Sequence, residues 1–134
     1  MGQQQLLLII LGVIIVGIAI AVGLSLFSAQ SIESNRDALI NDINNLNAHA
    51  YQFFIRPTSM GGGGGSFSGG TGYVIPAKMG TNDNGTYVAT IINATQIKFV
   101  GTSAAGNGTV TNTFDASTGK VTGNYTYTGL FLNN

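Results

Sequence analysis

The sequence predicts an α+β protein: one long N-terminal α-helix, with a small C-terminal antiparallel β-sheet head packed on its outer half. Three observations point there. Residues 6–27 are almost unbroken Leu, Ile, Val, Ala and Gly, and no charged side chain precedes Glu33. Residues 28–55 contain neither Gly nor Pro and repeat apolar residues at threes, fours and sevens. From Gly72 onward the apolar period falls to two, with turn residues between the alternating runs.

The apolar run of 22 residues makes a helix of roughly 33 Å, the thickness of a hydrocarbon core. A cleavable secretory signal fits poorly. It needs a basic flank and a shorter apolar stretch, whereas this flank is Gln3-Gln4-Gln5 and Phe27-Ser28-Ala29 makes a poor cut site. N-myristoylation needs Ser or Thr where this chain has Leu6. The segment is therefore expected to remain in the mature protein.

The helix should continue beyond it. Ile32, Leu39, Ile43, Leu46, Ala50 and Phe53 share one face, while Asn35, Asp42, Asn45 and Gln52 make a solvated or interfacial face. Pro57 disfavours helical geometry at Arg56, so the helix should stop near Ile55. A rod of about 75–80 Å results. Its inner half, 1–27, is apolar all round, and its outer half, 28–56, is amphipathic.

A glycine-rich linker, 57–71, comes next, and its composition predicts a flexible connector. It lacks the strand, helix and GK[ST] of a phosphate loop. The remainder, 72–134, is the head. Alternation places strands at about 72–76, 86–92, 96–102, 109–114 and 120–128, joined by turns at Asn82-Asp83-Asn84-Gly85, 105–108 and 115–119. Pro76 should end the first strand or mark a sheet edge. So small a sheet, without cysteine, needs a surface to lie on. The stripe from Leu39 to Phe53 supplies it.

Composition narrows the function. Charged residues are 7% of the chain and the formal net charge is zero, so no electrostatic footprint for nucleic acid exists. A single histidine and no cysteine leave no zinc constellation, and no nucleophile, base and orienting group can be named together. Neither an enzyme nor a cofactor is expected. His49 reads as a packing or surface residue, and Tyr51, Phe53 and Phe54 as contacts for the sheet.

A long apolar N-terminal helix, continuous with an amphipathic helix that carries a small antiparallel sheet, resembles bacterial type IV pilins and pseudopilins. The likeness covers the whole chain in architecture and the first 55 or so residues in pattern. It implies a leader removed by a prepilin peptidase, a methylated N-terminal residue, a membrane-inserted precursor pool and assembly machinery. It further implies a homopolymeric extracellular filament whose core is these helices. The departures are specific: Met1 stands where the family carries Phe, Gln5 where it carries Glu, and Val22 where it carries a helix-breaking Pro.

From this follow the expected site residues. Met1, Gly2, Gln3, Gln4 and Gln5 form the assembly terminus, with an amide network in place of the family's ion pair. Gly12, Gly17 and Gly23 would provide local melting or close helix approach, or simply reflect membrane-helix composition. Glu33, Arg36 and Asp37 have within-helix spacing, and Arg36 is expected to bridge to an acidic residue of a neighbouring subunit. Asn84, Asn93, Asn107 and Asn124 head N-x-[ST] sequons that suit an extracellular surface. A filament subunit is the leading expectation; a pseudopilin of a secretion or DNA-uptake machine and a monomeric membrane-anchored surface protein are the alternatives.

Overall fold

The computed structural model describes residues 2–133 and is α+β as predicted. Helix α1 (Gly2–Ile55) runs unbroken for 54 residues, about 80 Å. A 3-10 turn at Thr58–Met60 and a one-turn helix, α2 (Ala77–Gly80), lead to strands β1 (Gly85–Ile91), β2 (Gln96–Ser103), β3 (Thr109–Asp115) and β4 (Lys120–Tyr127). A final 3-10 segment, Gly129–Asn133, closes the head. The sheet order is β1-β2-β3-β4, every neighbouring pair antiparallel. Short hairpin connections make this meander the simplest topology available to consecutive strands.

One face of the sheet lies on α1. Ile97 and Phe99 on β2, with Val110 and Phe114 on β3, are buried against Leu39, Ile43, Leu46 and Ala50 of the helix. Phe53, the last residue of the predicted stripe, is partly buried at the same core. Period two on the strands and the helical repeat on α1 thus bury their apolar sets together. Two glycines allow the close approach. A Cβ on Gly85 would stand 2.1 Å from the Thr102 carbonyl oxygen and 2.9 Å from Leu39 Cδ2, and one on Gly101 would meet Tyr87 at 2.9 Å and Ile43 at 3.2 Å.

Two expectations need correction. No strand forms at 72–76. Tyr73 turns its ring into the core while Val74 is exposed, and Pro76, which has no N–H for a ladder, begins the turn of α2. The glycine stretch is also no loose connector. The N–H groups of Gly63, Gly64 and Gly65 bond the carbonyls of Phe53, Arg56 and Phe54 at 2.8–2.9 Å, closing the C-terminal end of α1. Gly62 and Gly63 are buried, and Phe67 then plugs the core beside Phe54, ring centroids 5.1 Å apart. The glycines are used for proximity: a Cβ on Gly63 would lie 1.9 Å from the Ser66 carbonyl oxygen.

Candidate functional site

The head covers only the outer half of the rod. Every described residue from 2 to 31 is exposed, including all the large apolar side chains between Leu6 and Phe27. The helix is long and apolar enough to cross a membrane, and none of its most apolar window is buried within the chain. Burying a Leu, Ile or Val side chain is worth about 1.5–3 kcal/mol. The fifteen Leu, Ile and Val side chains between Leu6 and Phe27 therefore demand lipid or other apolar helices around them.

The predicted assembly residues fall on this surface. Met1 lies outside the described residues, and Gly2, Gln3, Gln4 and Gln5 form the exposed first turns of α1. A Cβ added at Gly12, Gly17 or Gly23 would meet nothing within 4 Å, so nothing inside the chain requires glycine there. At about 100° per residue, Gly12 and Gly23 fall on one face and Gly17 on another. They do not form a single stripe.

Where rod meets head, Arg36 is held within the chain. Its Nη2 lies 3.8 Å from Glu33 Oε1 and its Nε 3.9 Å from Asp37 Oδ1, and its guanidinium sits 5.4 Å from the centroid of the Tyr127 ring. The arginine side chain is 17% exposed, against 59% and 62% for the two carboxylates. The acidic partners, more than Arg36, face outward.

A polar row beside the apolar stripe clamps the head. Asn35, Asp42 and His49 are spaced by seven, which at about 100° per residue keeps them on one line. Asn35 Oδ1 accepts from the Ser103 hydroxyl and from Asn107 Nδ2 at 3.2 Å, while its Nδ2 donates to the Asn84 carbonyl at 3.3 Å. Asp42 Oδ2 accepts from the Tyr87 hydroxyl, from Asn82 Nδ2 at 2.9 Å and from Asn84 Nδ2 at 3.0 Å. His49 Nδ1 pairs with the Tyr73 hydroxyl at 3.1 Å. Beside this row, the Tyr125 hydroxyl donates to Asn44 Oδ1. Burial pulls the Asp42 pKa up, but the three hydrogen bonds together outweigh it and hold the carboxyl below its ordinary range. Burial, then the Asp42 carboxylate, raises the Tyr87 pKa, and burial raises that of Tyr73 to about 12.

The sequence reading assigned Asn35 and Asp42 to a solvated or interfacial face and missed their role as clamps. The heptad spacing of the row, parallel to the apolar stripe, was the available signal. Of the aromatics expected to contact the sheet, Tyr51 meets Phe114 on β3, whereas the rings of Phe53 and Phe54 pack on Tyr73 and Phe67 of the segment between α1 and the sheet. Among the described residues no group of His, Cys, Asp and Glu could hold a metal ion.

The four sequons are in different states. Asn84 and Asn107 spend their side-chain amides on Asp42 and Asn35. Asn93 lies exposed in the β1–β2 hairpin, and Asn124 is exposed on β4. No protein-family model, curated protein or solved structure matches this chain.

Proposed function

We propose that the protein is the structural subunit of an extracellular filament resembling a type IV pilus, polymerising through the apolar half of α1 after a stage held in the inner membrane. The observation that carries this is the complete exposure of residues 6–27 on a rod whose outer half is clamped to a compact head. Lipid satisfies that surface first, and copies of the same helix satisfy it afterwards. The family resemblance supports the second stage.

The test is to shear intact cells and compare the sheared material with the membrane fraction. Filaments visible by electron microscopy, with this chain as the dominant band and a methylated N-terminal peptide, are expected. An unmodified N-terminus found only in membranes, on a chain that is monomeric in detergent, would make the protein an anchored surface module instead.

A further inference from the structure

We infer that Asn93 is an N-linked glycosylation site and that the folded head selects it over the other three sequons. This inference rests on the reading of the head as extracellular.

A carboxamide nitrogen is a weak nucleophile because its lone pair is delocalised onto the oxygen. A hydroxyl that donates to that oxygen stabilises the imidate-like form, in which the nitrogen can attack. In Asn93-Ala94-Thr95 this arrangement is already built. The Thr95 hydroxyl donates to Asn93 Oδ1 at 3.2 Å, and the backbone N–H groups of Thr95 and Gln96 donate to the same oxygen at 2.9 Å each. Asn93 Nδ2 donates to Gln96 Oε1 at 3.1 Å, an exposed contact that water replaces readily.

The turn is held in place from outside. The Ala94 carbonyl accepts from Phe67 N–H at 2.8 Å and the Thr95 carbonyl from Ala116 N–H at 2.9 Å. The Asn93 side chain is nonetheless exposed. The loop sits at the end of the head where Phe67 packs on Phe54, remote from the apolar half of α1.

The other sequons lack this combination. The Asn84 and Asn107 amides hold the head to Asp42 and Asn35, and a sugar on either would break that clamp. The Thr109 hydroxyl of the Asn107 sequon is paired with Thr128 at 2.7 Å. Asn124 is exposed, but it lies in extended β4. Asn124 falls where β4 shifts register against β3, between the Thr122–Thr113 and Thr126–Thr111 pairs, and among the described residues no hydrogen bond joins the Thr126 hydroxyl to its carboxamide.

The co-reactant is a sugar carried on a polyprenyl diphosphate. Asn93 Nδ2 attacks the anomeric carbon, the N–C bond forms, and the C–O bond to phosphate breaks. The diphosphate leaves with the electron pair, and a base on the transferase takes the Nδ2 proton.

The experiment is glycopeptide mapping of full-length protein from native cells, in both the sheared and membrane fractions. Glycan on the Asn93 peptide at ten-fold or higher occupancy than on Asn84, Asn107 or Asn124 is expected. Thr95→Ala and Asn93→Gln should both abolish it, and Thr95→Ser should retain it. A bare Asn93 in both fractions, or equal or greater occupancy elsewhere, overturns the inference. Glycan on Asn93 of a chain confined to membranes upholds the site while defeating the filament reading, and filaments bearing a bare Asn93 do the reverse.

Discussion

Tyr87 on β1 and Asp42 on α1, separated by 45 positions in the chain, share a hydrogen bond in which the phenol donates to the carboxylate oxygen that also receives the amides of Asn82 and Asn84. One carboxylate thereby ties the first strand and the turn before it to the rod. Hydrogen bonds to charged groups are worth about 1.5–3 kcal/mol. Tyr87→Phe should lower the stability of the detergent-solubilised protein by about 1–2 kcal/mol, read as a shift in the denaturation midpoint. Asp42→Ala should cost more, because it strands three donors at once; equal losses would mean that Tyr87 carries the whole contact.

The same pair sets a pH window. The Asp42 carboxyl titrates below its ordinary value when folded, so its contribution is complete above about pH 4 and is lost as pH falls through the lowered folded value. Tyr87, Tyr73 and Tyr125 have raised pKa values in the fold. Their contribution is complete below about pH 10 and declines above it, as the unfolded phenols ionise first. Thermal melts across pH should show a broad plateau falling at both ends. Asp42→Asn should flatten the acid limb and shrink the alkaline limb only by the part of the Tyr87 shift that the carboxylate supplies, since burial of Tyr87, Tyr73 and Tyr125 remains.

The glycine cap is expected to be intolerant of side chains where backbone approaches backbone. Gly63→Ala places a Cβ 1.9 Å from the Ser66 carbonyl oxygen, and overpacking of this kind costs about 1–3 kcal/mol. Limited proteolysis should then cut within residues 61–70 of the variant while the parent resists. Equal resistance would show that the segment does not depend on the close contact.

Asn47 lies on the sheet-facing side of α1, 5% exposed, and its carboxamide has no hydrogen-bond partner among the described residues. Replacing such a group with an apolar one of similar size should be stabilising. Asn47→Leu is expected to raise stability by about 1 kcal/mol. A fall in the melting temperature would show that the amide is satisfied in solution.

At the other end of the rod, Gln3, Gln4 and Gln5 are exposed polar groups leading into a fully apolar surface. Packed among copies of α1, their amides would bond one another, since a buried amide without a partner costs roughly 1–3 kcal/mol on the scale of protein substitutions. If α1 polymerises as proposed, Gln5→Leu should reduce the filament recovered by shearing several-fold and leave the melting of the head unchanged. Wild-type recovery would remove the amide network from consideration.

Arg36→Ala separates a local role from an inter-subunit one. Loss of the Tyr127 contact and the neighbouring charges should cost about 0.5–1 kcal/mol in the isolated protein. If Arg36 also reaches a neighbouring subunit, filaments of the variant should dissociate at lower shear, with the difference largest at low salt. A difference independent of salt would assign the effect to packing alone.

The sequence by itself determined the kind and approximate extent of α1 and of the strands β1 to β4. An unbroken apolar run, a helical repeat without Gly or Pro and a change to period two are local patterns, and α1 ends at Ile55 where Pro57 required. The buried stripe of Leu39, Ile43, Leu46 and Ala50 was legible for the same reason, since a periodic face must be covered by something. Tertiary structure decided which distant polar groups meet. Asn35 with Ser103 and Asp42 with Tyr87 depend on strand register and on where the sheet lies along the rod, quantities that no local period encodes. It also decided the glycine run. Composition there signalled only freedom, because glycine has little conformational preference of its own. The folded chain uses the missing side chains to let backbone touch backbone at Gly63, where any Cβ would collide. The short run at 72–76 alternates like a strand, but a core place for the Tyr73 ring and the missing N–H of Pro76 left it outside the sheet.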